Sequence, residues 1–402
     1  MSSLPALLIF GGTYLVLAIG RLPGFRLDRT GAAIIGATLM IVCRVLTLEE
    51  AYRAIDYDTI ILLFGMMIVV ANLRLSGFFR AVTAWVVEHA HRPILLLAAI
   101  VFVSGFFSSF FVNDTMCLVM TPLVLEVATT LRRNPIPFLL AVAMGSNIGS
   151  VATITGNPQN MMIGSFSRIP YGEFLMREAP VAATGLVIAV AVLAAVYWKE
   201  FRDENLVSPE HPRVRVNRVL MWKSVAVSLV MIVFFFAGWP VPVVALLAGA
   251  ALLITRRVKP EKIYHDIDWP LLVMFIGLFI VTAGVDKAVL SQRGPELAAR
   301  LRLDRPGVLS AAAAVLSNIV SNVPAVLVFK PFAAHLADPK RAWLILAMSS
   351  TLAGNFTLLG SVANLIVVQR ARGEVEIGFW EYFKAGAPLT VATIIVGTLI
   401  LG

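Results

Sequence analysis

The sequence predicts an all-α polytopic membrane protein of two inverted repeats, with about ten spans, two re-entrant hairpins and two discontinuous helices. Three observations carry that expectation. Of 402 residues, 59% are hydrophobic and 14% charged, and the mean hydropathy is +0.86, against roughly 45–50% apolar and about 25% charged in a soluble domain. The apolar residues fall in runs near the roughly 20 residues that cross a bilayer. Polar motifs recur in the same order in both halves. This composition excludes a cytosolic enzyme, a secreted disulfide scaffold and a disordered chain.

In chain order, the expected spans are 4–20, 31–46, 59–76, 136–168, 179–198, 223–239, 243–255, 270–287, 343–369 and 385–402. Two further apolar stretches, 93–131 and 307–337, are split near their middles by polar residues and read as hairpins. The run Leu4 to Gly20 is followed by Arg21, Arg26 and Arg29, as in a retained first span rather than a cleaved leader. Cys43 and Cys117 both lie in apolar runs, which argues against a disulfide framework and a thiolate metal site.

The net charge is +9. It does not point to nucleic acid, because the basic residues sit in short clusters between apolar runs, as membrane proteins hold cytoplasmic loops. With the N-terminus outside and both hairpins returning to their own side, cytoplasmic segments carry roughly twice as many Lys and Arg as outside ones. The 287–305 loop runs against the trend, with five positive charges on the outside. The expected location is the cell (inner) membrane, crossed many times.

The halves match at polar positions. Ile55-Asp56 running to Gly65 corresponds to Ile267-Asp268 running to Gly277. Ser108-Ser109, Asn113 and Pro122 correspond to Ser317-Asn318, Asn322 and Pro331. Ala143-Met144, Ser146, Thr153, Gly156 and Asn160 correspond to Ala347-Met348, Ser350, Thr357, Gly360 and Asn364. The first repeat is assigned to 1–198, a charged cytoplasmic linker to 199–222, and the second repeat to 223–402. Each half has five spans and one hairpin, and an odd number of crossings inverts the second copy. Inverted repeats are typical of secondary transporters, with the site at mid-membrane where the copies meet.

Four polar breaks interrupt apolar stretches. They hold Asn113, Asp114 and Thr115; Ser146, Asn147, Thr155, Gly156 and Asn157; Asn318, Ser321 and Asn322; and Asn355, Thr357, Gly360, Ser361 and Asn364. Pro158 and Pro324 remove backbone donors within two of them. An unpaired backbone group in hydrocarbon costs several kcal/mol, so such breaks persist where protein or a wet cavity surrounds them. Exposed N–H groups and helix N-termini would favour an anion. Freed carbonyls with Asn, Ser and Thr oxygens would suit a hard cation such as sodium, with Asn113 and Gly156 as the candidate position. For each break the plain alternative is a kink or a small-residue packing face, and Gly145 with Gly149 has that spacing.

Asp114 is the sharpest single residue. A carboxylate at mid-membrane costs at least about 2.5 kcal/mol and is a functional candidate by default. It would carry a proton or ligate a cation, and its repeat counterpart is Val323. Lys330 pairs in the repeat with Thr121. It would replace a coupling cation, pair with an acid such as Asp114, or simply snorkel to the outer interface. No cofactor is expected beyond Na+ or H+ as coupling ion. The five histidines are scattered, and no nucleotide loop or nucleophile–base motif is present, so an enzyme is not expected. A sodium/proton antiporter using Asp114 and an ion channel remain as alternatives.

The segments SNIGSVATITGNPQN, FFVNDTMCLVMTP, SNIVSNVPAVLVF and GNFTLLGSVANLI together resemble the ion-transporter superfamily, which includes divalent-anion/sodium symporters, citrate-type permeases and arsenite-efflux permeases. The resemblance spans about residues 50–400 and implies two inverted repeats, elevator motion and often a homodimer. It implies a small inorganic or organic anion, or a neutral oxyacid such as arsenite, as substrate. Sodium-coupled dicarboxylate members carry Ser-Asn-Thr at each hairpin tip. Here the tips read Val112-Asn113-Asp114 and Ser321-Asn322-Val323, a departure that shifts the expectation toward proton coupling or a single cation site.

Overall fold

The structure, a computed structural model, describes residues 3–20, 27–202 and 216–402, with only the backbone for 290–295. Arg21, Arg26 and residues 203–215 of the linker lie outside the described residues. Within them the regular structure is helical throughout.

The first half runs α1 (Leu4–Ile19), α2 (Arg29–Val42), α3 (Leu48–Ala54), α4 (Tyr57–Ser76) and α5 (Phe78–His89). It continues with α6 (Pro93–Phe110), α7 (Asn113–Thr130), α8 (Pro135–Ser150), α9 (Pro158–Ser167) and α10 (Tyr171–Val196), and one helical turn, α11 (Trp198–Phe201), follows. The second half is α12 (Arg218–Phe236), α13 (Val241–Leu253), α14 (Pro260–His265), α15 (Trp269–Val285) and α16 (Ser291–Arg300). It closes with α17 (Pro306–Val320), α18 (Asn322–Ala333), α19 (Pro339–Ala353), α20 (Val362–Ala371) and α21 (Phe379–Leu401). The order of α1–α10 thus recurs in α12–α21.

The same local chemistry starts equivalent helices. Asp56 caps α4 by accepting from Thr59 N, and Asp268 caps α15 by accepting from Leu271 N. Asn134 and Asp338 cap α8 and α19 in the same way. Each cap satisfies a backbone donor that the first helical turn leaves without a partner.

Among the described residues, six helices, α4, α6, α10, α12, α15 (extended through Val289) and α21, are long and apolar enough to cross a membrane. Both split stretches fold as helix pairs with their turns at residues 111–112 and 321. Both broken spans are two half-helices, α8 with α9 and α19 with α20. Three details differ from expectation. A helix, α5, fills residues between the third span and the first hairpin. Its repeat counterpart α16 lies in the 287–305 loop. The end of the 199–222 linker is already helical: Asn217 caps α12 through Leu220 N, and Lys223 donates to the last carbonyls of α13, Ala251 O and Ile254 O, at 2.7 and 2.5 Å.

The halves interlock reciprocally. At Gly65 on α4 a Cβ would lie 2.6 Å from the Ala245 backbone of α13. At Gly277 on α15 it would lie 2.7 Å from the Ala33 backbone of α2. Both crossings need glycine, because contact this close leaves no room for a side chain. The rest packs around them as two hairpins laid on two broken helices: α6 and α7 on α8, α17 and α18 on α19. Hairpin arm α7 also packs on α20 of the other half, and α18 on α9.

Candidate functional site

Each break gathers its own partners first. Asn157, with Pro158 behind it, caps α9 by accepting from Asn160 N at 2.8 Å. Its Nδ2 donates to Ser150 Oγ at 2.9 Å and Thr351 Oγ1 at 3.2 Å. Asn160 Nδ2 returns to the carbonyls of Ser150 and Thr153 at the end of α8 (3.1 and 3.0 Å). In the second half Asn364 does the same for Gly354 O and Thr357 O, at 2.7 and 3.1 Å. Buried backbone oxygens freed by the breaks are thereby paired, as burial requires.

The hairpins dock onto those breaks. Ser108 donates to Ser146 O at 2.7 Å, and its counterpart Ser317 to Ser350 O at 3.0 Å. Backbone N–H of Asn113 donates to Gly156 O at 2.9 Å. Asn318 Nδ2 reaches Ala353 O at 2.9 Å. The Asn322 amide fits with its nitrogen facing Ser350 O and Gly360 O, at 3.1 and 3.2 Å. Ser321 at the second tip holds φ +78°, a conformation costly for a residue with a Cβ and often found where function demands it.

Asn147 joins the halves. Its Nδ2 donates to Asn355 Oδ1 at 2.8 Å and Asn364 Oδ1 at 2.9 Å, while its Oδ1 accepts from Asn113 Nδ2 at 2.9 Å and Ser361 Oγ at 3.3 Å. All five side chains are buried. Asn113 Oδ1 and Asn318 Oδ1 are buried without a hydrogen-bond partner among the described residues.

Above this lattice lies a cavity of about 260 Å³. Asn113 and Asp114 of the first tip, Ser321, Asn322 and Val323 of the second, and Pro158, Gln159 and Ser361 of the broken helices line it. Its opposite wall is formed by the N-terminal ends of α2 and α15, with Arg29, Thr30 and Asp268. Asp114 stands in the first turn of α7 and also takes the backbone N–H of Ala363 in the first turn of α20. Two helix N-termini converge on one carboxyl group, a place where partial positive charges favour an anion. Among the described residues, the charged groups of the lining are Arg29, Asp114 and Asp268.

Of the sequence candidates, Asn113, Asp114, Ser321, Asn322 and Ser361 line this cavity, Asn147, Asn355 and Asn364 lie in the hydrogen-bonded lattice, and Thr115, Ser146, Gly156, Asn157, Asn318, Thr357 and Gly360 are not in the lining. Thr155 does not face the cavity, because its hydroxyl bonds Tyr171 Oη at 3.0 Å and Thr153 Oγ1 at 3.2 Å. Lys330 corrects an expectation. It forms no pair with Asp114. Eight residues along α18 from Asn322 place it about 12 Å from the tip. There its Nζ sits 4.0 Å from the ring centre of Phe166, in the field of Asp56 and Asp286.

Sequence reasoning missed Arg29, Asp268, Gln159 and Gln369 of the lining. Arg29 counted as a loop charge. Asp268 was visible as the repeat partner of Asp56, but nothing in a linear pattern brings it opposite Asp114.

Comparison with known proteins gives a consistent relation. Residues 13–343 match the citrate transporter family (CitMHS). The chain is 30% identical to the silicon efflux transporter LSI3 of Oryza sativa subsp. japonica, over 100% of this chain and 99% of the relative. It is 24% identical to the putative transporter arsB of Dictyostelium discoideum, covering 93% and 87% of the two chains. The crystal structure of the Alcanivorax borkumensis YdaH transporter, described as having an unusual topology, superposes with a TM-score of 0.63. That match has 14% identity and covers 98% of this chain and 95% of that one.

Proposed function

The chain belongs to the CitMHS citrate transporter family, and from that premise we propose that it is a proton-coupled secondary transporter of a small, uncharged oxyacid. The observation that carries this reading is the charge of the cavity lining: two carboxylates, Asp114 and Asp268, against one guanidinium, Arg29. A multiply charged carboxylate such as citrate would meet net repulsion in a low-dielectric site. A neutral polyhydroxy acid of the arsenite or silicate kind would instead exchange its hydroxyl hydrogen bonds for those of Asn113, Asn322, Ser361 and the two carboxylates. The names of the relatives, a silicon efflux transporter and an arsB-type transporter, fit such a solute.

Coupling would rest on Asp114, the charge of the lining that travels with the hairpins, because Arg29 and Asp268 stay on the α2 and α15 wall. With Asp114 protonated, the hairpin tips are neutral and the loaded hairpins can pass the hydrocarbon. With Asp114 ionised, the tips carry a negative charge away from Arg29, and a bare charge at mid-membrane costs about 2.5–3.5 kcal/mol even on lenient scales. In this reading the interlocked α2, α4, α13 and α15 stay fixed while hairpins and broken helices slide as an elevator. On the orientation expected from the Lys and Arg distribution, the Arg29 and Asp268 wall faces the cytoplasm, and in this reading the arrangement described is the inward-facing one.

The test is flux in proteoliposomes under an imposed pH gradient. Arsenite or silicic acid should move with the gradient, citrate should not, and Asp114→Asn should abolish gradient-driven flux while leaving the protein folded. Gradient-driven citrate movement, or full coupled flux in D114N, would overturn the reading. A sodium/proton antiporter is the second reading, favoured by the paired carboxylates. It requires sodium flux without any oxyacid in the same vesicles.

A further inference from the structure

A second cavity, of about 410 Å³, lies apart from the first and shares no residue with it. It opens where α4 turns into α5 at Gly77 (φ +83°), and is closed by hairpin arm α7 and the last turn of α20. Three arginines face it: Arg74, Arg80 and Arg370. Arg74 is ion-paired with Asp266. Arg80 and Arg370 are exposed and have no hydrogen-bond or ion-pair partner among the described residues. The floor between them is apolar, with Leu75, Phe79, Leu118 and Val119.

Two guanidiniums without a partner among the described residues, over an apolar trough, have a specific chemical complement. A guanidinium matches phosphate oxygens through paired N–H donors. An apolar trough beside that charge suits an acyl chain and not a hydrated inorganic ion. Basic pockets between membrane helices on the cytoplasmic side bind anionic lipid headgroups, and the Lys and Arg distribution puts this end of α4 on that side. We propose that this cavity binds an anionic phospholipid, its phosphate on Arg80 and Arg370 and a chain along Leu75, Phe79 and Leu118. The lipid would tie the α4–α5 elbow to α7 and α20, the two helices whose N-termini meet at Asp114. This site is independent of the transported solute.

The experiment uses the full chain in zwitterionic detergent. Phosphatidylglycerol is titrated against phosphatidylcholine of the same acyl chains, with inorganic phosphate as a separate arm. Phosphatidylglycerol should raise Tm by at least about 2 °C, and phosphatidylcholine and phosphate should not. The R80Q/R370Q variant should keep the lipid-free Tm, lose the rise, and retain about tenfold less phosphatidylglycerol in native mass spectrometry. The R80K/R370K variant should keep part of both signals. An equal rise with phosphatidylcholine, or an undiminished rise in R80Q/R370Q, overturns the site. The whole rise with inorganic phosphate alone overturns its assignment to a lipid.

Discussion

Asn147 Nδ2 donates to Asn355 Oδ1 across the two halves at 2.8 Å, a bond between residues 208 apart in sequence. The same amide also binds Asn364, Asn113 and Ser361, so it has no free capacity. Asn147→Leu should therefore strand several buried polar groups at once, each costing about 1–3 kcal/mol. The expected outcome is a fall in Tm of many degrees with loss of transport, read by thermal unfolding in detergent. Asn147→Asp keeps the acceptor but removes both donated bonds and should fall between wild type and Leu. A wild-type Tm for N147L would show that the lattice does not hold the halves together.

Asp268 should behave unlike Asp114. It caps α15 through Leu271 N and lines the cavity from the wall formed by the starts of α2 and α15. Asp268→Asn retains the cap, costs little stability, and leaves Arg29 facing one carboxylate. Flux should persist at a several-fold lower rate, and the charge selectivity should relax, so that a monovalent carboxylate becomes a measurable substrate in vesicle uptake. Unchanged selectivity would mean that the charge count does not govern substrate choice.

Lys330 should act on conformational balance, not on coupling. It lies over Phe166, beside the Ser165 hydroxyl that donates to Asp56 at 3.1 Å. These contacts join α18 and α9 to the start of α4 on the side away from Arg29. Lys330→Ala should raise labelling of a Ser321→Cys probe from the outside, in a background lacking Cys43 and Cys117, and should slow flux without creating sodium dependence. New sodium dependence would return Lys330 to a coupling role.

A pH effect is expected at α3. Glu50 completes a capping box with Thr47 and accepts from Lys287 Nζ at 2.6 and 2.7 Å. Lys287 first, then the Thr47 N–H, holds its carboxyl down at about 2. A depressed acid stabilises the folded state above its ordinary range and loses that contribution as pH falls through the folded value. The Tm difference between wild type and Glu50→Gln should be small near neutrality, because the pair is exposed and screened. It should then shrink to nothing between about pH 5 and pH 2. A difference that grows on acidification would exclude this pair as its source.

Much of the architecture was legible in the sequence, because hydrophobic runs and polar breaks respond to the bilayer directly. The motif matches at Asn113 and Asn322, and at Asn160 and Asn364, marked the hairpins and the broken helices. What stayed hidden depends on folding in three dimensions. Asp268 sits at the start of a span, where sequence sees an ordinary cap, and only the reciprocal packing of α2 on α15 brings it and Arg29 over the hairpin tips. Lys330 stood out by charge alone, and charge does not report how far down a helix arm a side chain lies. Helix α5 escaped notice because its apolar stripe is too short to register as a span.

The paired notches at Gly65 and Gly277 constrain how the chain is made. Each notch receives a helix encoded by the opposite half: α13 arrives long after α4, while α2 waits from the beginning for α15. A nascent chain that has emerged only through α10 holds Gly65 without its occupant and Ala33 without its seat. The scaffold thus matures late, once translation has passed α15, and an insertion machinery must shelter two unfilled grooves until then. Neither half can then complete its own part of the scaffold without the other.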